Sequence, residues 1–257
     1  EHLSLLSYDL EGSKGMNASW GSMCDIFGMS CNDADRATRS LPRFAEYAHR
    51  NADGWGIGWY DNGAARVERA PTQGDRDPRF FEAMEGARSE VLIAHLRYST
   101  GAPAWECNCH PFIRNHRGRD WMLAHNGWIN DAEDHPEAMG TTDSEQIFNE
   151  IIDEVAEYQD SGTIRGIYPA LKSAIENIFD RYGRGVRLNL LISDGRSLYA
   201  FHHYPGKPMF MLRRSKMYGG AVLVSTQKLT EEDWEPIPEN RLLVVDGGEV
   251  QVLSSAI

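Results

Sequence analysis

The sequence predicts an α+β layered domain, and three observations carry that prediction. Short apolar runs of strand length cluster in the first half and the last quarter of the 257-residue chain. Between them lie two long segments whose apolar residues recur at helical spacing. Turn dipeptides at Asn62-Gly63, Asp194-Gly195 and Asp246-Gly247 fold neighbouring strands into hairpins, because Asn, Asp and Gly accept the positive φ angles of tight turns. Strands, then two helices, then strands give sheets that bury their faces under helices.

In chain order, Cys24 to Met29 reads as a short buried strand, and Leu41 to His49 as a helix that begins near Pro42. Gly54 to Tyr60 and Arg66 to Arg69 are strands joined by Asn62-Gly63, and Val91 to Tyr98 and Trp121 to Ala124 are two more. Ser144 to Tyr158 places Ile147, Phe148, Ile151, Ile152 and Val155 on one stripe. Ile164 to Tyr182 does the same with Ile167, Leu171, Ile175, Ile178 and Phe179, and Gly183 stops it. Strands return at Val186 to Ser193, Ser197 to Tyr204, Met209 to Arg213, Ala221 to Ser225 and across Arg241 to Leu253. Residues 1–23 are rich in Gly, Ser and Asn without either period, so they read as a tail, and residues 24–257 as one domain.

Composition narrows the function. With 26 Lys and Arg against 38 Asp and Glu the formal charge is −12, and the sequence offers no basic patch, which argues against nucleic acid as a partner. Apolar runs fall far short of the roughly 20 residues of a membrane helix, and the first segment lacks the basic start and apolar middle of a secretory signal. The expected location is the cytoplasm, with no membrane partner. Four cysteines are too few for a disulfide scaffold, so reduced thiols are expected.

Cys24 directly follows Met23. Removal of that methionine would leave one residue bearing both a thiol and a free α-amine. An α-amine titrates near 7.7–8, so it can act as base for its own side chain without a histidine. Taken alone, a buried core cysteine is the commoner fate. Four further strings change the weighting. His95-Leu96-Arg97-Tyr98-Ser99-Thr100 closes a strand, Cys109-His110-Pro111-Phe112 follows a loop, His125-Asn126-Gly127-Trp128-Ile129 closes another strand, and Thr142-Asp143-Ser144-Glu145 opens a helix.

Each string is weak alone, but in this order over about 120 residues they resemble the class-II glutamine amidotransferases, which belong to the N-terminal-nucleophile hydrolases. Arg50 with Asn51-Ala52-Asp53-Gly54-Trp55-Gly56, and the stretch from Lys228 to Trp234, extend the similarity to the stand-alone YafJ-like branch and to the whole of Met23 to Ile257. The resemblance implies a four-layer αββα sandwich of two antiparallel sheets flanked by helices. It also implies Cys24 as nucleophile, and the Asn126 side chain and Gly127 backbone N–H as oxyanion donors. Arg97, helped by Thr100, would take the substrate α-carboxylate and Asp143 its α-ammonium, with Arg50, His110 and His125 in support.

The residues allow plainer readings beside these. Asn126-Gly127 is also a turn dipeptide, and Arg97 could sit in an ordinary ion pair. Asp143 with Gln146 also fits a helix-capping box. His110 and His125 are expected to orient loops rather than to act as bases. Cys107-Asn108-Cys109-His110 lacks the spacing of a zinc knuckle, and His202 and His203 on a strand point to opposite faces, so no metal and no cofactor is expected. Gly54, Gly56 and Gly58 alternate within a strand and do not form a dinucleotide fingerprint.

An internal Cys24 has no free amine, so a chain that retains residues 1–23 is expected to be inactive. Gly21-Ser22-Met23 reads first as a leader or misplaced start, second as the end of a propeptide, and third as a true extension that abolishes catalysis. The expected activity is hydrolysis of the γ-amide of glutamine, or of a related γ-glutamyl amide, through a Cys24 thioester. The resemblance accounts for nearly all of residues 24–257, so released ammonia would pass to a separate synthase partner or be lost in outright hydrolysis. The rival is a non-catalytic glutamine-binding or regulatory subunit with a masked Cys24.

Overall fold

A computed structural model of the chain describes residues 23–157, 164–215 and 220–257. The expected tail at 1–22 and Tyr158, the expected helix end, lie outside them. Strand β1 (Asp25–Asp35) leads into helix α1 (Leu41–Ala45), which tightens into a 3-10 turn at Glu46–Arg50. The hairpin β2 (Gly54–Asp61) and β3 (Ala64–Ala70) follows, then α2 (Pro78–Gly86), β4 (Ser89–Arg97), β5 (Phe112–His116) and β6 (Arg119–Trp128). The long helices are α3 (Asp143–Glu157) and α4 (Ile164–Tyr182). The chain closes with β7 (Arg187–Ser193), β8 (Ser197–His203), β9 (Phe210–Arg214), β10 (Ala221–Ser225), β11 (Glu235–Pro236), β12 (Arg241–Asp246) and β13 (Glu249–Leu253).

These strands form two antiparallel sheets. One has seven strands in the order β11-β9-β10-β1-β4-β2-β3, the other six in the order β13-β12-β8-β7-β6-β5. Side chains alternate between the faces of a strand, and in the central strands both faces are buried. Phe27, Trp55, Leu92 and Leu96 pack outward against Leu41, Phe44 and Phe80 of α1 and α2. Leu123, Leu190, Ile192 and Phe201 pack outward against Ile147, Ile151, Leu171 and Ile175 of α3 and α4. The alternate residues Ile26, Ile93, Met122, Ala124, Leu191 and Val224 form a third core between the sheets. Three apolar layers separate four layers of structure, which is the αββα sandwich. Double-sided burial also explains why the strands read as nearly unbroken apolar runs instead of alternating ones.

The alternating glycines of β2 have a structural use. A Cβ on Gly54 would lie 2.7 Å from the Cys109 sulfur, one on Gly56 2.0 Å from the His110 carbonyl oxygen, and one on Gly58 2.6 Å from the Met122 sulfur. The bare face lets the 109–111 segment lie directly on β2. Helix α2 and strands β5 and β11 are additions to the sequence expectation. Asp77-Pro78 was the readable signal for α2: Asp77 caps the helix by accepting from the Arg79 N–H, and Pro78 opens it.

Candidate active site

Strand alternation decides which side chains meet. On β4, Ile93 faces the second sheet, so His95 and Arg97 face it too, while Leu96 faces α1 and α2. On β6, Ala124 faces inward and so does Asn126, whereas His125 turns out toward α3. Ile26 faces inward, and Cys24, two residues before it, shares that side. The inner edge of the sandwich therefore collects Cys24, His95, Arg97 and Asn126.

Cys24 is half-buried directly ahead of β1. Its sulfur lies 3.2 Å from both the N and the O of Tyr98, accepting from the first and donating to the second. Burial pushes the thiol up to about 11, against the opposing pull of the Tyr98 N–H and of Arg97. The Asn126 Nδ2 donates to the Cys24 carbonyl at 2.7 Å. Its amide orientation is fixed from behind: Asn189 Nδ2 donates to Asn126 Oδ1 at 3.0 Å, and His202 Nδ1 lies 2.7 Å from Asn189 Oδ1. Because that oxygen only accepts, the network assigns the His202 proton to Nδ1. Gly127 has φ +156°, and a Cβ there would stand 1.8 Å from the Arg187 carbonyl oxygen, so only glycine fits.

Arg97 is 4% exposed. Its guanidinium donates to the carbonyls of Asp53, Ala102 and Pro103 and to the Ser99 hydroxyl, at 2.9 to 3.3 Å. Every one of these acceptors is neutral, so among the described residues no carboxylate is hydrogen-bonded to this buried charge. The ion-pair alternative is not what the fold builds; the arrangement suits an anionic ligand. The hydroxyl beside Arg97 belongs to Ser99, while Thr100 is exposed. Asp53, from the segment after Arg50, completes the support by accepting from the Ser99 N–H at 2.7 Å.

Asp143 opens α3, half-buried, but it is not the cap. The Thr142 hydroxyl accepts from the Glu145 N–H at 3.3 Å, and Gln146 turns to His135 instead of closing a capping box. Asp143 accepts from the Ile129 N–H at 2.7 Å and the Ser144 N–H at 2.9 Å, which anchors it beside the end of β6. His125 lies between Ser144 Oγ at 2.9 Å and the Arg187 carbonyl at 2.8 Å. Burial lowers its pKa, with Asp143 opposing, so the ring is neutral and gives its Nε2 proton to the carbonyl. Among the described residues neither nitrogen of His110 has a hydrogen-bond partner, and its ring meets that of His95 at 4.0 Å. Burial, then the neighbouring His95, holds His110 well below the ordinary range, and burial with Arg97 lowers His95 to about 3.

Asp25, next to Cys24, was not singled out from sequence. It is fully buried and receives Lys207 Nζ at 2.8 Å, Gln227 Nε2 at 2.8 Å, Thr226 Oγ1 at 2.9 Å and Asn51 Nδ2 at 2.9 Å. Arg50 stands 3.6 Å from the Asp25 carboxylate. Burial alone would raise the Asp25 pKa, but Lys207, Gln227 and Arg50 together keep it below the usual carboxylate value. Lys207 joins both networks, since its carbonyl accepts from Asn189 at 2.9 Å. No local pattern announces a residue whose partners Lys207, Thr226 and Gln227 lie 182 to 202 positions away; the one available signal was an acid inside a buried strand.

A thiol directly ahead of a central strand of an αββα sandwich thus shares one edge with an amide donor and with an arginine that, among the described residues, has no carboxylate partner. The sequence pattern described as class-II glutamine amidotransferases matches residues 23–223, and the chain belongs to that family. It is 24% identical to YafJ of Escherichia coli K12 over 87% of this chain and 89% of the relative. It is 29% identical to the gamma-glutamyl-hercynylcysteine sulfoxide hydrolase of Mycobacterium tuberculosis H37Rv, covering 82% of each. The crystal structure of a predicted glutamine amidotransferase from Pseudomonas aeruginosa PA01 superposes with a TM-score of 0.63 at 24% identity, over 89% of this chain and all of the other, which is a likeness of fold. Among the described residues no helix is long and apolar enough to cross a membrane.

Proposed function

We propose that the chain hydrolyses the γ-amide of glutamine or of a γ-glutamyl conjugate through a thioester on Cys24, and that it does so once Cys24 is the first residue. The observation that carries this reading is the convergence of Cys24, Asn126 and the carboxylate-free Arg97 on one inner edge of the sandwich. With Met23 attached, a thiol near 11 would be ionised in only about one molecule in ten thousand at pH 7. A freed α-amine supplies the missing base. It takes the thiol proton as sulfur attacks the amide carbon, and later returns it to the departing amine.

Asn126 Nδ2 carries two protons. One holds the Cys24 carbonyl, and the other is available to the tetrahedral oxyanion, with the Gly127 N–H as the proposed second donor. Arg97 receives the α-carboxylate and Asp143 the α-ammonium, which fixes the glutamyl head group while the γ-carbon reacts. Thr100 is assigned a place at the outer side of the carboxylate. The reading needs no metal or cofactor, and ammonia, when it is the leaving group, goes to a separate synthase or to solvent.

The test is release of glutamate and ammonia from glutamine by protein beginning at Cys24, beside Cys24→Ala and beside a chain that keeps Met23. Turnover by the first alone supports the proposal. Equal turnover by the chain retaining Met23 would overturn the need for a free amine. Glutamine binding without turnover or covalent labelling would favour a binding subunit.

A further inference from the structure

Met23, bonded to the α-nitrogen of Cys24, reaches a cluster of two aromatic rings and an arginine that the glutamyl reading above does not use. Trp128 lies two residues beyond Asn126 on β6 and so stands on the same face. Its cross-strand partner is Arg187, whose guanidinium carbon sits 3.7 Å from the centroid of the Trp128 ring and 5.0 Å from that of Tyr204. Trp128 and Tyr204 meet edge to face at 5.8 Å. Met23 packs onto this wall, with its sulfur 2.6 Å from the Tyr204 hydroxyl. Among the described residues Arg187 has these ring partners and no carboxylate partner.

The location of this wall follows the chemistry. The departing amine must take its proton from the α-nitrogen of Cys24, so the leaving group has to stand beside that nitrogen. Met23 is bonded to the same nitrogen here. Its side chain therefore marks the side of the leaving group, where it meets Tyr204, which in turn contacts Trp128 and Arg187.

We propose that Trp128, Tyr204 and Arg187 form a leaving-group subsite for the amino-acid half of a γ-glutamyl-amino acid with an apolar or aromatic side chain. This rests on γ-glutamyl hydrolysis at Cys24 as proposed above. The side chain packs against the Trp128 and Tyr204 rings, on the side where Met23 meets the Tyr204 hydroxyl, and the carboxylate meets the Arg187 guanidinium. In the acylation step the sulfur–carbon bond forms as the thiol proton moves to the α-amine. The carbon–nitrogen bond then breaks, and the α-ammonium proton leaves with the amino acid. Water splits the thioester to glutamate and restores the thiol. Ammonia as leaving group would use none of the wall.

The experiment compares kcat/KM for γ-glutamyl-phenylalanine, γ-glutamyl-phenethylamide, which lacks the carboxylate, and glutamine, with protein beginning at Cys24. The phenylalanine conjugate should exceed both others by at least about tenfold, and Arg187→Ala should bring its ratio to the phenethylamide close to one. A wild-type ratio near one, a ratio unchanged in folded Arg187→Ala, or a preference for glutamine overturns the subsite and leaves γ-glutamyl hydrolysis standing. Should Arg187→Ala not fold, free phenylalanine added to wild-type enzyme during glutamine turnover decides. Formation of γ-glutamyl-phenylalanine supports the subsite, and its absence at millimolar phenylalanine counts against it. Failure of the underlying reading looks different: none of the three compounds is cleaved, and a glutamine-like electrophile does not label Cys24.

Discussion

Asn126 shows how a short motif and a long-range network share one task. The motif was legible because His-Asn-Gly at a strand end places the asparagine inward and leaves a glycine where no side chain fits. What holds the amide in one orientation was not legible, because Asn189 and His202 come from β7 and β8, 63 positions and more along the chain. Replacing Asn126 by Ala should lower kcat by about 10²- to 10³-fold, the usual loss of one oxyanion donor. Asn189→Ala removes only the backing, so a fall in kcat of roughly tenfold with KM little changed is expected, measured by steady-state glutamate release. A change in KM alone would reassign Asn189 to substrate binding. Asp25 makes the same point for charge. Asp25→Asn leaves the Lys207 ammonium facing a neutral amide in a nearly closed site, and should cost roughly 3 kcal/mol in urea unfolding. A loss under about 1 kcal/mol would mean that solvent reaches the pair.

Among the elements, β2 and α3 show what pattern reading separates and what it does not. The glycine alternation of β2 excluded a dinucleotide loop, but its purpose depended on a strand-length neighbour, the 109–111 segment, whose proximity no local period encodes. Gly56→Ala pushes a methyl group to within 2.0 Å of the His110 carbonyl oxygen, a backbone atom that cannot swing aside. The expected loss is about 3 kcal/mol or more by chemical denaturation, and a loss below about 1 kcal/mol would show that the two layers can slide apart. At the head of α3 the sequence left cap and ligand open for Asp143. Thr142 takes the cap, so Thr142→Ala should cost about 1 kcal/mol of stability. Helix stripes were the easiest features to read, since α3 and α4 each bury one continuous face. Strand β5 was hard because its five residues alternate and carry Arg114, Asn115 and His116, which look like loop.

Across the whole molecule, the sandwich closes around histidines that it keeps uncharged, and this sets its response to acid. His95 and His110 are buried, among the described residues no hydrogen-bond partner meets their ring nitrogens, and burial lowers both, His95 to about 3. An unfolded chain would protonate them near 6.5. Between those values the unfolded state binds protons that the folded state refuses, so stability falls as pH falls, by about 1.4 kcal/mol per pH unit for each ring. Asp25 acts lower down. Its depressed pKa gives stability that is complete above the ordinary carboxylate value and is lost only as pH drops through the folded value. The histidine window opens first, so acid destabilisation should begin near pH 6, ahead of carboxylate titration, with His95 and His110 together contributing up to about 2.7 kcal/mol per unit below pH 5.5 and the lowered His125 and His202 adding to it. Urea unfolding across pH 4.5 to 7 measures it. His110→Phe removes one titrating ring from the packed pair and should reduce the slope by about 1.4 kcal/mol per unit. An unchanged slope in that variant would mean that His110 is already charged, or solvated, inside the fold.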